Sequence, residues 1–274
     1  MNNLNNINIL EIFQYGFMDR AFIAGILISL SMSFIGIFIV LKRFSILADA
    51  LSHISLAGLI LGAILQINPL ITAVAFSCFS SIGLEKIRSS KKVFSDSILA
   101  ILLTGGLAVS IVLLTIFKGL NLNITSLLFG SILTISETDI LIITFLTIIV
   151  IVVVVAFYKK LFSISFDEDF EQIKGTHIKI YNYLIIVLAS IVIGVSIQII
   201  GVLLISALMI IPTVSAFQYK LGFNKSLILS VAFGLISTIL GLFVSFYAGL
   251  PSGATIAIIL ILMFGLSFLI NIGN

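Results

Sequence analysis

The chain has 274 residues, of which 61% are hydrophobic and only 9% charged, and its mean hydropathy is +1.35. Soluble domains carry roughly 25% charged residues, so this composition excludes a sizeable aqueous domain and leaves an all-α polytopic membrane protein. The net charge of +3 gives no nucleic-acid footprint without a soluble surface to carry it, and a single cysteine, Cys78, excludes a disulfide framework or a cysteine metal cluster.

Residues 1–20, MNNLNNINILEIFQYGFMDR, form a polar to mildly amphipathic N-terminal segment with no cation before Arg20. The segment lacks the basic start and cleavage pattern of a signal peptide, so the N-terminus is expected to be retained. Residues 21–274 form a single transmembrane domain. Its apolar segments are Ala21–Leu41, Ile46–Leu65, Pro69–Leu84, Ser97–Phe117, Asp139–Phe157, Tyr181–Gln198, Ile200–Phe217, Ser226–Phe246 and Thr255–Ile272. Each must be helical, because lipid offers no partner to an unpaired backbone group. The third is short and the sixth and seventh meet at Ile199-Ile200-Gly201, so the expected number of spans is nine, with eight as the alternative.

The loops orient the chain. Lys42 and Arg43, the four cations of EKIRSSKKVFSD (residues 85–96), Lys159, Lys160, Lys174 and Lys179, and Lys220 with Lys225 all fall on one side of nine alternating spans. That side holds twelve of the fourteen Lys and Arg residues; Arg20 and Lys118 face the other. The cation-rich side is the cytoplasmic one, which places the N-terminus outside and the C-terminus in the cytoplasm of a multi-pass cell-membrane protein.

The second span carries the chemistry. In KRFSILADALSHISLAGLILG (residues 42–62), Asp49 and His53 lie four residues apart and about 40° apart around a helix, on one face with Ser52. Ionisable groups inside a membrane segment mark functional sites by default. A carboxylate oxygen and an imidazole nitrogen suit divalent zinc, manganese or iron. Two ligands make half a site, which a two-fold homodimer meeting at this helix would complete. The competing reading has Asp49 capping the helix and His53 bonding a neighbouring backbone. Gly58 and Gly62 form a small-xxx-small pair on another face, the pattern of close helix packing. Glu137 and Asp139 sit where a helix start favours acids.

Absences narrow the class. His53 and His177 are the only histidines, and no glycine precedes a lysine, so neither H-E-x-x-H nor a Walker A loop exists. The chain is therefore not expected to be an enzyme, and any ATP that drives it is hydrolysed by another chain. Apart from Asp49 the spans hold almost no acids, which disfavours a proton-coupled carrier. In GVLLISALMIIPTVSA (residues 201–216), Pro212 is expected to kink or end the helix. The basic connection that follows is either a simple loop or a small docking helix.

Several motifs in order resemble the zinc, manganese and iron permeases of ABC importers, over about Phe17 to Leu269. They are LKRFSILADALSHISLAGLILG (residues 41–62), LLFGSILTIS (127–136), FDEDFEQIKG (166–175), GVLLISALMIIPTVSA (201–216) and YAGLPSGATIAI (247–258). The resemblance implies ABC-importer permease architecture and a homodimer, with two cytoplasmic ATP-binding subunits and an extracellular metal-binding protein that delivers the ion. It implies that Asp49 and His53 belong to the metal pathway. It also maps the ATPase contact to Thr213, Val214, Ser215, Ala216, Phe217, Gln218, Tyr219, Lys220, Leu221 and Gly222. No tightly bound cofactor is implied, because the divalent metal is cargo. LFGSILTIS and FDED look closer to the zinc branch, so zinc is the expected ion. A manganese or iron importer of the same type is the alternative, a proton-coupled secondary metal transporter a remoter one, and a membrane scaffold without transport the third.

Overall fold

The computed structural model describes Ile12 and residues 14–90, 95–117, 124–130 and 135–272, and among these described residues there are eleven helices and no strand. They are α1 (Gly16–Leu41), α2 (Ile46–Leu65), α3 (Pro69–Ser89), α4 (Ser95–Ile116), α5 (Ile124–Phe129), α6 (Glu137–Phe166), α7 (Glu168–Ile173), α8 (Ile178–Ile200), α9 (Val202–Gln218), α10 (Phe223–Ala248) and α11 (Ser252–Ile272). Eight are long and apolar enough to cross a membrane: α1, α2, α3, α4, α6, α8, α10 and α11. The ninth expected segment, α9, is a separate apolar helix of 17 residues, about 25 Å long at 1.5 Å per residue and so at the short limit for a crossing.

Two packed groups share α8 and α9. Helix α2 lies against α3, α4, α8 and α9, while α1 lies against α6, α8, α9 and α10, and α11 closes on α9 and α10. Helices α1, α2 and α8 bury most of their length, whereas α4 and α6 leave most of theirs uncovered. Close approach rests on small residues. A side chain at Gly58 would stand 2.7 Å from the Thr72 carbonyl and from Phe76 Cβ, and one at Gly62 would strike Thr72 and Pro69. The small-xxx-small pair of α2 is thus the seam with α3.

Several boundaries differ from the hydropathy reading. Helix α1 starts at Gly16, taking the end of the polar segment into its first turns; the rest of that segment, residues 1–11 and 13, lies outside the described residues. Helix α3 continues to Ser89 because Glu85 and Arg88, one turn apart, neutralise each other at 2.6 Å. Helix α6 runs on through Lys159 and Lys160 to Phe166, and its start carries a capping box: Ser136 Oγ accepts from the Asp139 N–H at 3.1 Å, and Asp139 Oδ2 accepts from the Ser136 N–H at 3.0 Å. Pro212 does not end α9, which continues to Gln218. The connection to α10 is only Tyr219–Gly222, with Lys220 at φ 50°, so a tight turn stands where a docking helix was one of two expectations.

The cation-bearing loops meet at one end of the bundle. Lys42 reaches Glu168 at the start of α7 and Asn182 in α8, Tyr158 bonds Asn224 of α10, and Ser267 of α11 donates to Gln218 of α9 at 2.9 Å. Lys91, Lys92 and Lys118 lie outside the described residues. At the opposite end, the α8–α9 junction is a single residue, Gly201, at φ +81°. It packs on the backbone of Leu128–Gly130, and Gly253 packs on Phe129 and Ile200. Gly201→Ala imposes a left-handed cost of about 1–2 kcal/mol and pushes a methyl into main chain. The purified protein is expected to lose several degrees of Tm, and an unchanged melting curve would show that the junction has room to shift.

Candidate functional site

Helix α2 is launched from a turn that hydrogen-bonds back onto α1. Phe44 N–H donates to the Ile39 carbonyl at 3.0 Å and Leu47 N–H to the Phe44 carbonyl at 2.9 Å, while Arg43 takes φ 60°. Ser45 is the N-cap, in helical conformation and without a side-chain cap bond. Asp49 lies four positions further on, beyond the N–H groups that a cap serves, so the capping reading is not the geometry found. Ser52 Oγ donates to the Asp49 carbonyl at 2.8 Å and is thereby spent on the helix's own backbone.

Asp49 and His53 share the α2 face that also carries exposed Ile46, and both are half-buried. The Asp49 carboxylate acts electrostatically on the imidazole, and His53 Nδ1 is buried with no hydrogen-bond partner. Behind them stands α4. A side chain at Gly106 would stand 2.8 Å from the Ile54 nitrogen and 2.9 Å from the His53 carbonyl carbon, and Ser110 Oγ donates to the His53 carbonyl at 3.3 Å. Helix α4 thus clamps the backbone that carries the imidazole. Among the described residues no three His, Cys, Asp or Glu side chains gather to hold a metal. One chain offers two ligands, a carboxylate oxygen and an imidazole nitrogen.

About two turns before Asp49, at Lys42, lies an electrostatic cluster that spacing could not reveal. Lys42 Nζ, only 3% exposed, donates to Glu168 Oε1 at 2.8 Å and also to the Asn182 amide oxygen. Arg88 approaches Glu168 at 4.0 Å and lies over the Phe44 ring, 5.0 Å from its centroid. Burial holds the Lys42 ammonium below its ordinary value against the opposing pull of Glu168. For Glu168, burial pushes upward, but the charge and hydrogen bond of Lys42, with Arg88 and Asn182, keep it below the usual carboxylate value. Glu171, its side chain almost fully enclosed, accepts from Ser163 at 2.7 Å and Thr176 at 2.8 Å and pairs with Lys160 and Lys174, each at 3.4 Å. The Ser163 and Thr176 hydrogen bonds first, then the lysines, lower its pKa to about 2.

The ABC 3 transport family model matches residues 14–271. The manganese import system permease protein ScaB of Streptococcus gordonii is 32% identical over 94% of this chain and 92% of its own length. The manganese transport system membrane protein MntC of Halalkalibacterium halodurans is 29% identical over 94% of this chain and 88% of its own. Among solved structures, PsaBC from Streptococcus pneumoniae in complex with Fab superposes with a TM-score of 0.85 at 29% identity, covering 95% of this chain and 94% of that one.

The Glu171 cluster carries a pH signature. Its carboxylate pKa is depressed from 4.5 to about 2, so its contribution to the fold is complete above pH 4.5 and is lost as pH falls through about 2. Hydrogen exchange of residues 166–176 is expected to stay slow from pH 7 down to pH 4.5 and to accelerate below that. Glu171→Gln should expose the segment at every pH. Equal protection in the variant and the parent would remove Glu171 as the anchor.

Proposed function

The chain belongs to the ABC 3 transport family as the membrane permease subunit of a metal ABC importer, and from that premise we propose that its cargo is manganese, bound between two copies by Asp49 and His53 of each. The carrying observation is His53 Nδ1, buried without a partner beside Asp49 in a chain whose described residues offer no third ligand. A two-fold axis along the open face of α2 supplies two carboxylates and two imidazoles and leaves positions for water or carbonyl oxygen. That donor set is free of thiolate, because Cys78 lies in α3 within hydrogen-bond distance of Ser190. Carboxylate and water ligation suits manganese, whereas thiolate would favour softer ions. A carboxylate and imidazole set serves zinc as well, and it is the names of the relatives, manganese import and transport proteins, that favour the manganese alternative over the zinc expectation. Membership of an ABC family sets aside the proton-coupled reading.

In this reading, ATP is hydrolysed by separate cytoplasmic subunits seated at the turn Tyr219–Gly222, and an extracellular metal-binding protein loads the outer end around α5. The N-terminus is outside and the C-terminus in the cytoplasm. Both proposals are testable in proteoliposomes holding the permease and its ATPase. Manganese should accumulate with ATP. Asp49→Asn, similar in size to Asp49 but uncharged, and His53→Ala should each cut uptake at least about tenfold, the loss that even a residue merely supporting a metal ligand brings, with unchanged Tm. Full uptake by the Asn variant removes Asp49 from the ligand set, and accumulation of zinc without manganese restores zinc. For orientation, a cysteine at Lys160 is expected to label only from the cytoplasm and one at Leu250 only from outside; labelling of both from one side overturns the topology.

A further inference from the structure

A cavity of about 360 Å³ opens where α6 leaves the apolar zone and α8 enters it, lined by Phe157, Leu184, Ile180, Tyr181, Lys160 and His177 among others. It is separate from the α2 site and plays no part in the pathway described above. Its walls divide by chemistry. Phe157 and Tyr181 meet edge to face, with ring centroids 5.9 Å apart, and with Ile180 and Leu184 they form the apolar wall. Lys160, His177, Thr176 and Gly175 form the polar rim, and no carboxylate is among the lining residues. The nearest acid, Glu171, is held by Ser163 and Thr176 and is itself almost fully enclosed. Lys160 Nζ reaches Glu171 and Thr176 only at 3.4 and 3.3 Å, long for a charged pair, and is about half exposed. Lys160, held only by long contacts, and the exposed His177 therefore face a cavity with a greasy floor.

We propose that this cavity binds an anionic phospholipid of the cytoplasmic leaflet, the phosphodiester against Lys160 and His177 and one acyl chain against Phe157, Ile180 and Leu184. The inference rests on the orientation given above, which puts this end of the bundle at the cytoplasmic surface. Three features commit the site to lipid rather than to a free anion. The volume is too small for a two-chain lipid yet ample for a headgroup. The apolar wall is itself uncovered, with Ile180 63% and Phe157 41% exposed. An aromatic pair beside a cation at the span boundary is the arrangement that meets the headgroup layer. Placed under the α7 loop, the lipid would brace the segment that Lys160 and Glu171 hold.

Native mass spectrometry of the permease–ATPase complex supplies the test, with phosphatidylglycerol or phosphatidylcholine added to delipidated protein. Phosphatidylglycerol should be retained and should raise Tm, and phosphatidylcholine should do neither. Removing the cation, in Lys160→Gln, should weaken retention about fivefold, and His177→Ala, which removes a hydrogen-bonding ring from the rim, should weaken it by a smaller factor. Ile180→Trp, at an exposed position that leaves the core untouched, should block the mouth and abolish the Tm gain. Equal retention of the two lipids, undiminished retention in Ile180→Trp, or the same Tm gain from millimolar inorganic phosphate would each overturn the proposal. The exposed Lys225 of α10 offers a control, since Lys225→Gln should leave retention unchanged. Manganese uptake by the Asp49 and His53 variants is independent of these outcomes, so the two readings fail separately.

Discussion

A lysine ammonium almost fully enclosed at the end of a 26-residue apolar helix is the constraint on which the rest of this bundle depends. Lys42 cannot stay charged there without acceptors, and it finds them 126 and 140 residues away in Glu168 and Asn182. Those contacts draw the α6–α8 loop over the end of α1. Arg88 adds a second cation to the same carboxylate and lays its guanidinium on Phe44, which fixes α3 to the turn between α1 and α2. Four chain segments are thereby joined at the point from which α2 starts. Removing one partner would leave an uncompensated buried charge, a costlier event than never having built the pair.

From that anchored start, α2 is held along its length by contacts that only small residues allow. Gly58 and Gly62 seat it on α3, Gly106 brings α4 against the His53–Ile54 backbone, and Gly194 brings α8 against Val74 of α3. Between lipid-soluble surfaces there is little hydrophobic gain from association, so close packing and hydrogen bonds between helices supply the specificity. Ser31 to Thr147, Ser81 to Ser190 and Thr213 with Ser230 are such bonds. The consequence for function is that Asp49 and His53 ride on a rigid element. Their spacing is set by the helix, so under the proposed two-copy site only the movement of whole helices would change the distance between one copy's pair and the other's.

Much of this was legible because hydropathy and charge are local. The spans followed from runs such as IVIVVVVAF, the shared end of the loop cations from their alternation, a close-packed face of α2 from Gly58 and Gly62, though not its partner α3, and the α6 start from Glu137 and Asp139. The Lys42 cluster was invisible because its members are joined by topology, not spacing. Helix α7 was hidden because six residues of FDEDFEQI carry too little periodicity to register. Of the two outcomes expected at Pro212, a kink or an end, the end does not occur: within a helix that neighbours cover on several sides, the missing N–H costs too little to stop it. Asp49, Ser52 and His53 could be placed on one face from sequence, but the orphaned Nδ1 and the Ser110 contact behind it needed α4 in position. Ion identity was the least legible feature, since an Asp and a His one turn apart serve zinc, manganese and iron alike.

A two-ligand half-site is also a mechanical statement. A chain that gathered four ligands for itself would bind its ion tightly and hold it through every helix movement, which defeats release. Splitting the set across a two-fold axis makes affinity depend on how close the two α2 helices stand. Under the proposed reading, the ion is fully coordinated only while both pairs face each other, and a small separation removes half the donors at once. The Lys42 cluster lies about two turns from Asp49 and ties α2's start to the α7 loop, at the same end as the Tyr219–Gly222 turn. Phe223, directly after that turn, packs on Phe162 at 4.5 Å, and Phe162 on Phe166 at 6.1 Å, so side-chain contact runs from the turn to the edge of α7. Under the same reading, displacement of that turn by the ATP-binding subunits would reach the root of α2 through packed rings and a buried ion pair, and ligand separation would follow from geometry without any change in the ligands themselves.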